Sequence, residues 1–386
     1  MTEALARLVL NDGTIFRGRA VGARGTCSGE AVFNTGMTGY QEVLTDPSYR
    51  GQIITMTYPE IGNYGINVHD MESAQAHAAG FVMRRCCRRP SNFRANESLP
   101  DFLARQGVIG IEEVDTRAIT KRLRVSGAMP AVLSSEDRSD EELIAMATAV
   151  PDMSGQDLAT GVSTPETYAW DEAVDPARFG GVPQWSPLSN DDAQRPHVVV
   201  IDLGVKRNIL RLLRSCGLRL SVVNGATSAT DILALQPDGV FISNGPGDPA
   251  AVTVAIDTLR QLLPQGLPMF GICLGHQLLA LALGASSYKL AFGHHGVNHP
   301  IKNLHTGRIE ISSLNHGFAI AIDSLPDEVE MTHVNLNDQT CAGFSHTRLP
   351  VFGIQYHPEA CPGPSDSIYL FQRFTDAIAA HRAACH

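Results

Sequence analysis

The sequence lacks the features of a nucleic-acid-binding or membrane-spanning protein. Its 386 residues hold 30 Lys and Arg against 40 Asp and Glu, and this formal net charge of −10 argues against a nucleic-acid partner. No apolar run approaches the roughly 20 residues that a membrane helix needs. Residues 1–7 also lack the apolar core of a signal peptide, so we expect neither a membrane span nor export.

The cysteines show no disulfide pattern. They follow no scaffold spacing in a chain of this length, and we therefore expect free thiols in a reducing, cytoplasmic compartment. The eight residues are Cys27, Cys86, Cys87, Cys216, Cys273, Cys341, Cys361 and Cys385. The length predicts two domains, and 44% hydrophobic with 18% charged residues is typical of an ordinary globular chain.

Two kinds of ligand site are also missing from the sequence. It contains no G-x-x-x-x-G-K-[ST] loop, so we expect no ATP site of that type in this chain. His294, His295, His299 and His305 are close in sequence, but no Cys or carboxylate accompanies them at a spacing typical of zinc sites. We therefore expect no metal in this chain.

Residues 1–150 are predicted to form a β-rich α/β domain. Residues 8–10 and 14–16 flank the turn Asn11-Asp12-Gly13, a pattern typical of a β-hairpin. Turn, strand and capping signals predict the other elements. These are short strands broken by Gly and Pro within 31–49, a strand over 108–111, a helix over 116–125 capped by Asp115, and a helix that starts at Ser139.

Residues 151–195 are predicted to be a connector between two domains. They are rich in proline, contain the pair Gly180-Gly181 and show little periodicity, which is typical of a linker or a functional loop. The two tryptophans of the chain, Trp170 and Trp185, both lie here. We expect them to pin the connector onto the folded domains.

Residues 196–386 are predicted to form an α/β domain with a doubly wound, mostly parallel sheet. Strands and helices alternate with short connections, as they do in such sheets. The predicted strands cover 198–201, 218–223, 239–242 and 268–272, and the predicted helices cover 207–213, 231–235, 250–263 and 277–283. Ligands of these folds bind at the carboxyl ends of the strands, where Cys273 and the loop 244–249 are expected.

Cys273 stands at the junction between an apolar strand and a helix-like run. Gly271 and Gly275 flank it, which gives the G-x-nucleophile-x-G pattern of a sharp strand-to-helix turn, with Cys in place of Ser. The N-terminus of the helix would favour a thiolate and offer N–H groups to an oxyanion. A buried structural Cys with glycines for tight packing is the alternative, and this pattern alone leaves it open.

Candidate partners for the Cys273 thiol, a base, a group that orients the base and oxyanion donors, lie in two other segments. His357 follows an apolar strand, and Glu359 lies on the same side of an extended segment two residues later. The loop Asn244-Gly245-Pro246-Gly247 and the N–H of Leu274 are candidate oxyanion donors. Taken singly, His-Pro-Glu could be a surface turn, and the glycine stretch an ordinary strand-to-helix turn.

Three motifs together resemble the triad-type glutamine amidotransferases over residues 197–380. They are Gly271-Ile272-Cys273-Leu274-Gly275-His276-Gln277, Ser243-Asn244-Gly245-Pro246-Gly247-Asp248-Pro249 and His357-Pro358-Glu359. The resemblance implies a catalytic triad of Cys273, His357 and Glu359. It also implies hydrolysis of glutamine, through a γ-glutamyl thioester, to glutamate and ammonia.

Motifs in both predicted domains resemble the small, glutamine-hydrolysing chain of carbamoyl-phosphate synthase, so that almost the whole chain is covered. The motifs are residues 33–42, 45–49, 293–296 and 315–318 and the triplet Asp115-Thr116-Arg117. This resemblance implies a glutamine pocket at the domain interface. Its lining residues would be Ser48, Gly245, Gly247, Leu274, Gln277, Asn315, Gly317 and Phe318.

The same resemblance implies a partner and a pathway. A large synthetase chain would use ATP, Mg and bicarbonate, so that no cofactor is expected in this chain, and the two chains would form a hetero-oligomer. Ammonia that reaches water is protonated and loses its nucleophilicity, so we expect direct transfer through a protected passage and low activity without the partner. The product would serve arginine or pyrimidine biosynthesis, or both.

Some features depart from the family pattern, and rival functions follow from the same residues. Val297 stands where a second Gly is expected, and Tyr356 stands where Gly is often found. The run Arg84-Arg85-Cys86-Cys87-Arg88-Arg89 is interpreted as a solvated basic face, with contact to an acidic patch of a partner as the alternative. The rivals are an amidotransferase for another synthetase, a free γ-glutamyl hydrolase and a non-catalytic scaffold. The N-terminal domain argues against the first two, and the intact triad argues against the third.

Overall fold

The computed structural model describes residues 5–175 and 194–385, and its contacts divide the chain into two compact units. The first unit is Met1–Ser154 with Leu290–Gly296, and the second is Gly155–Lys289 with Val297–His386. In this division, residues 155–175 of the predicted connector belong to the second unit. Trp185 and the Gly180-Gly181 pair lie outside the described residues. The predicted domain boundaries stay predictions.

The first unit is built on a seven-stranded closed barrel, in which the strand order is β1-β2-β8-β6-β4-β3-β9. A closed barrel leaves no unpaired strand edge. Two further short strands, β5 and β7, pair with each other. The bounds are β1 Leu5–Leu10, β2 Ile15–Gly22, β3 Thr26–Asn34, β4 Gln52–Met56, β5 Glu60–Ile61, β6 Gly80–Val82, β7 Arg85–Cys86, β8 Ile109–Glu112 and β9 Met129–Ser134.

Several local predictions for the first unit are confirmed. Strands β1 and β2 form the predicted hairpin, with Val9 opposite Ile15. The side chain of Asp115 accepts a hydrogen bond from the N–H of Ala118 and caps a helix, and Ser139 opens another with a capping box. The helices are α1 Tyr40–Thr45, α2 Leu99–Arg105, α3 Thr116–Ser126 and α4 Asp140–Thr148.

The prediction of short strands throughout residues 31–49 is wrong after Asn34. Residues Tyr40–Thr45 form α1 and Pro47–Tyr49 form a turn of 3₁₀-helix. Gly39, at φ 85°, turns the chain into α1 in a left-handed conformation that glycine adopts without strain. The side chain of Asp46 then accepts a hydrogen bond from the N–H of Ser48, which satisfies the start of the 3₁₀ turn.

The second unit contains a ten-stranded sheet in the order β10-β12-β11-β13-β14-β19-β18-β17-β15-β16. The five strands from β12 to β19 in this order are parallel, whereas β10, β17 and β18 pair antiparallel with their neighbours. The bounds are β10 Tyr168–Trp170, β11 His197–Asp202, β12 Arg219–Asn224, β13 Gly239–Ile242, β14 Met269–Ile272, β15 Ser287–Asn303, β16 Ile309–Ile320, β17 Val329–Asn335, β18 Cys341–His346 and β19 Val351–Ile354.

Helices cover both faces of this sheet. Along β11, Val198 and Val200 join one apolar cluster with residues of α5 and α9, while Val199 and Ile201 join another with residues of α7 and α8. The predicted doubly wound fold is therefore confirmed. The helices are α5 Arg207–Ser215, α6 Ala229–Ala234, α7 Thr253–Leu262, α8 Leu274–Ala282 and α9 Tyr369–Cys385.

The strand order places a switch point beside the predicted active site. The chain runs from β11 outward to β12 and then returns to β13 on the other side of β11. At such a point the loops that follow neighbouring strands diverge and leave a crevice at the carboxyl edge of the sheet. The loops that follow β11, β13, β14 and β19 all begin at this edge.

Trp170 lies in the described part of the predicted connector. Trp170 packs half-buried against the apolar cluster of the second unit, and its indole N–H donates to the Glu172 carbonyl oxygen, so the prediction for this tryptophan is confirmed. Among the helices of the described ranges, none has both the length and the apolar character required to cross a bilayer.

Candidate active site

Cys273 sits in a strained turn between β14 and α8. Its φ of 54° and ψ of −105° are unusual for a residue other than glycine, and such strain is often found at functional sites. Its N–H donates to the Ile354 carbonyl oxygen at 2.8 Å, and its side chain is buried. A Cβ atom on Gly275 would lie 2.2 Å from the Ile242 carbonyl oxygen. The turn thus requires glycine there, as the elbow pattern predicts.

His357 and Glu359 form a buried pair after β19. The distance between His357 Nδ1 and Glu359 Oε1 is 2.6 Å, and both side chains are at most 2% exposed. Because the carboxylate accepts, Nδ1 carries the proton of this hydrogen bond and Nε2 is turned to other partners. His357 Nε2 is buried and has no hydrogen bond of ordinary geometry within the described ranges, and His357 interacts with the Cys273 thiol. The geometry therefore leaves Nε2 for proton exchange.

The charges around His357 decide its protonation. Burial alone would lower the pKa of His357, but the Glu359 charge and the interactions with Glu359 and Cys273 outweigh burial and raise the pKa from 6.5 to about 10. The imidazole is therefore held as the cation at neutral pH. A cation beside a thiol favours the thiolate, so the Cys273 environment suits a nucleophile.

Lys206, at the start of α5, forms an ion pair with Glu359 and was not identified from the sequence. Its Nζ atom donates to Glu359 Oε1 at 2.9 Å and to the Ala360 carbonyl oxygen at 2.7 Å. Burial would raise the pKa of Glu359, but the charges of Lys206 and His357 overcome this and lower it to about 2. Asn208 adds a hydrogen bond of 2.6 Å to the Glu359 carbonyl oxygen. The start of α5 thus holds the loop that carries the carboxylate.

Of the predicted pocket residues, Asn315 contacts the Cys273 sulfur, and Gln277 and Phe318 are linked to it through Gln355. The thiol contacts the Asn315 carbonyl oxygen at 3.5 Å, and Gln277 Nε2 donates to the Phe318 carbonyl oxygen at 2.7 Å. Gln355, which the sequence analysis did not select, also contacts the sulfur, with its Nε2 atom at 3.7 Å. The roles of these residues in glutamine binding stay predictions.

The loop after β13 approaches the elbow closely. A Cβ atom on Gly245 would lie 2.1 Å from the Leu203 carbonyl oxygen, so only glycine fits. Gly247 has a φ of 93°, in the left-handed region that favours glycine. Leu274 is the first residue of α8, and the first four N–H groups of a helix lack partners within it. The oxyanion donors predicted in this loop and at Leu274 stay predictions.

The two remaining predicted pocket residues, Ser48 and Gly317, lie in different parts of the structure. Ser48 lies in the first unit, in the 3₁₀ turn Pro47–Tyr49, and is buried. Gly317 lies in β16, where a Cβ atom would meet nothing within 4 Å among the described residues. Sterics therefore do not require glycine at position 317.

The other sequence predictions concern metals and the basic run. Among the described residues, no group of three or more His, Cys, Asp or Glu side chains could hold a metal ion. In the basic run, Arg85 pairs with Glu60 and Arg88 pairs with Glu112. Half of the four arginines are thus neutralised within the chain.

Tyr356 is fully buried, so this departure from the family pattern fills core space.

The pKa values predict how stability depends on pH. Because the pKa of Glu359 is lowered from 4.5 to about 2, its contribution is present above pH 4.5 and is lost as the pH falls towards 2. Because the pKa of His357 is raised from 6.5 to about 10, its contribution is present below pH 6.5 and is lost as the pH rises through 10. We expect the difference in unfolding free energy between the parent and Glu359→Gln to be largest between pH 4.5 and 6.5.

Denaturant unfolding of both proteins from about pH 2 to about pH 10, which covers both arms of the profile, tests the expectation. The Glu359→Gln variant removes the charge that shifts the pKa of His357, so both arms of the profile should flatten relative to the parent. A constant difference at all pH values would show that this pair does not titrate with shifted pKa values.

The geometry of the site defines a class of enzyme. A Cys nucleophile on a strand-to-helix elbow, with a buried His and Glu pair on the neighbouring strand, is the arrangement of a cysteine-dependent acyl-transfer site. The family described as "Glutamine amidotransferase class-I" matches residues 199–377, which include Cys273, His357 and Glu359.

The rest of the chain narrows the class to one family. The description "Carbamoyl-phosphate synthase small chain, CPSase domain" matches residues 8–133. A carbamoyl phosphate synthase small chain from Solidesulfovibrio magneticus is 51% identical over 375 residues, which are 97% of this chain and 98% of that one. The corresponding chain from a Synechococcus strain is 53% identical over 369 residues, 96% of this chain and 92% of that one.

The chain therefore belongs to the carbamoyl phosphate synthase small chain family, as the sequence analysis predicted. The enzyme of this family is the glutamine-hydrolysing carbamoyl-phosphate synthase, and this chain corresponds to its small subunit. The rival readings as an amidotransferase for another synthetase or as a free hydrolase leave the match over residues 8–133 without an explanation.

Proposed function

We propose that this chain hydrolyses glutamine through a γ-glutamyl thioester on Cys273 and passes the ammonia to a large synthetase subunit. That partner makes carbamoyl phosphate from ammonia, bicarbonate and ATP, and it holds the ATP and Mg, so that no cofactor is assigned to this chain. The observation that carries the proposal is the 2.6 Å contact of Glu359 with His357 Nδ1, which leaves Nε2 for proton exchange, together with the interaction of His357 with the buried Cys273 thiol.

Acylation begins with the Cys273 thiolate and the His357 imidazolium. The thiolate attacks the side-chain amide carbon of glutamine and forms a tetrahedral oxyanion, for which Leu274 N–H and the Gly245–Gly247 loop are the proposed donors. When the C–N bond breaks, His357 Nε2 gives its proton to the leaving nitrogen. One thioester and one ammonia result, and the imidazole is left neutral.

Deacylation reverses the role of the imidazole. Neutral His357 takes a proton from water, and the hydroxide attacks the thioester carbon. The C–S bond then breaks, which restores the thiolate and leaves the imidazolium. The new carboxylic acid gives its proton to solvent and leaves as glutamate. Glu359 stabilises the cation at both ends of the cycle, and Lys206 keeps Glu359 ionised.

Glutamine binding is assigned to the predicted pocket. Asn315 contacts the Cys273 sulfur, and the Gln277 NH₂ group and the Phe318 carbonyl oxygen bond to each other. We therefore assign the Gln277 side-chain oxygen, which is an acceptor, to the α-amino group of glutamine. Gly317 provides open space on the strand of Asn315. Ser48 is proposed as the contribution of the first unit.

The place of the reaction in the cell follows from its product. Carbamoyl phosphate feeds arginine and pyrimidine biosynthesis, which we propose for this enzyme together with a cytoplasmic location and a heterodimeric unit of small and large subunits. Neither nucleic acid nor membrane is a proposed partner.

The test combines this chain with its large subunit, ATP and bicarbonate. Glutamine labelled with heavy nitrogen in its side-chain amide is supplied together with an excess of unlabelled ammonium. Direct transfer predicts that carbamoyl phosphate carries the label in a proportion far above that of the mixed ammonium pool. Labelling equal to that of the pool would show that ammonia is released into solution, and acid-quenched samples without a glutamyl group on Cys273 would contradict the thioester.

A further inference from the structure

Two buried amide side chains connect the Cys273 sulfur with a backbone carbonyl of β16. Gln355 follows β19 and is 1% exposed, and Gln277 in α8 is 3% exposed. Gln277 Nε2 lies 2.7 Å from the Phe318 carbonyl oxygen and 2.9 Å from Gln355 Oε1. Gln355 Nε2 lies 3.7 Å from Cys273 Sγ. The four groups thus form one chain of contacts.

The chemistry of its first member fixes the direction of every hydrogen bond in this chain. A backbone carbonyl oxygen can only accept, so the amide atom of Gln277 next to Phe318 must be the NH₂ nitrogen. The same nitrogen then donates to Gln355, whose contacting atom must be its oxygen. The remaining amide group of Gln355, its NH₂, is therefore the one that faces the sulfur.

We propose that Gln355 is the hydrogen-bond donor that stabilises and orients the Cys273 thiolate, and that Gln277 and the Phe318 carbonyl set this direction. The proposal rests on the proposed function, because it concerns the nucleophile of that reaction. It gives Gln277 a second role besides its predicted contact with glutamine, and it gives a role to Gln355, which no earlier step assigned.

Besides His357, which interacts with Cys273 and as a cation favours the thiolate, the sulfur has two contacts that favour opposite protonation states. The Asn315 carbonyl oxygen, 3.5 Å away, can only accept a hydrogen bond and so favours the thiol. The Gln355 NH₂ group donates and so favours the thiolate, since hydrogen bonds to ionised groups are stronger than those between neutral groups. Removal of the Gln355 donor leaves His357 alone to oppose the effect of the Asn315 carbonyl and shifts the equilibrium towards the thiol.

The test is the pH titration of the Cys273 thiol in the full-length chain without glutamine. The ultraviolet thiolate absorbance of each protein is recorded against pH, and that of the matching Cys273→Ala protein is subtracted. Gln355→Met keeps the length of the side chain but has no donor, and we expect its midpoint to rise by about one pH unit. Gln355→Glu places a carboxylate oxygen against the sulfur, and we expect a larger rise.

Two further variants separate this role from a loss of packing. Gln277→Met frees the Gln355 amide to rotate, so the midpoint should rise, but by less than in Gln355→Met. Gln372→Met changes a glutamine of α9 that contacts Asp376, and it should leave the midpoint unchanged. With the large subunit present, Gln355→Met should lower kcat for glutamine with ammonium-dependent synthesis unaltered.

The outcomes distinguish this inference from the proposed function. A midpoint of Gln355→Met or Gln355→Glu equal to that of the parent, in proteins with parental circular dichroism, overturns the donor role. If Gln355→Met does not fold, Gln355→Glu and Gln277→Met decide the question by the same titration. Glutamine hydrolysis that persists in Cys273→Ala would instead overturn the proposed function, and the titration would be unaffected by that result.

Discussion

Replacement of Cys273 by alanine is expected to lower the rate of glutamine-dependent carbamoyl phosphate synthesis by at least about 10³-fold. Alanine has no group that can form the thioester, and the strained turn at φ 54° holds no second nucleophile in its place. Ammonium-dependent synthesis by the same complex should stay at the parental rate, because free ammonia bypasses the glutamine site. The measurement is carbamoyl phosphate formation with each nitrogen donor in turn.

The control for this variant is a second buried cysteine of the same unit. Cys341 lies in β18, where its thiol contacts the Gly343 carbonyl oxygen, and it has no place in the proposed chemistry. Cys341→Ala should keep both activities. A Cys273→Ala protein that still uses glutamine at a rate near the parent would show that the nucleophile lies elsewhere.

The nucleophile could be predicted from the sequence because its constraints are local. A strand, a turn and a helix follow one another around Cys273 within a few residues, and the close approach of Gly275 to the Ile242 carbonyl oxygen leaves glycine as the only option. The two glycines on either side of one reactive side chain are the sequence signal of this close approach. His357 and Glu359 were identified in the same way, since they are only two residues apart.

Lys206 and Gln355 could not be found by the same reasoning. Lysine and glutamine are mostly exposed in proteins, so neither residue type signals burial. Lys206 reaches Glu359 over 153 positions of the sequence, and Gln355 reaches Cys273 over 82. The one usable signal was position, because both residues closely follow the carboxyl ends of buried strands, at the edge where the site was expected.

The closure of the N-terminal barrel was equally hidden. The hairpin of β1 and β2 can be predicted because a short turn joins the two strands. The barrel closes through the pairing of β1 with β9, in which the paired residues Leu8 and Leu133 are far apart in sequence. Residues 40–49 were misjudged because glycine and proline mark breaks in strands and starts of helices alike. In this segment, the burial of residues in α1 and the hydrogen bond from the Ser48 N–H to the Asp46 side chain favour helical structure.

Replacement of Lys206 by methionine is expected to lower the free energy of unfolding by about 3–5 kcal/mol. Lys206 is 2% exposed and Glu359 is fully buried, so the variant leaves a buried carboxylate without its strongest partner. The side-chain hydrogen bonds of Glu359 to Lys206 and His357 both end on Oε1, and Oε2 has no partner among the described residues. After the substitution, His357 alone would balance the charge. Urea unfolding of the isolated small subunit is the measurement.

A double mutant isolates the ion pair from the loss of packing. Glu359→Gln removes the buried charge, so Lys206→Met in that background should cost much less than in the parent, and the difference is the coupling free energy of the pair. Lys121→Met, on the exposed face of α3, should change stability by less than about 0.5 kcal/mol. A Lys206→Met protein as stable as the Lys121→Met control would refute the stabilising role of the pair.

The same substitution should also change the pH profile of glutamine hydrolysis. Without the Lys206 charge, Glu359 interacts more strongly with the imidazolium, so the pKa of His357 rises further above its usual value. The neutral imidazole that activates water in deacylation then forms only at higher pH. We therefore expect the pH dependence of kcat to move to higher pH in Lys206→Met, with ammonium-dependent synthesis unaffected. An unmoved profile would mean that Lys206 holds the loop at Ala360 in place without tuning the triad.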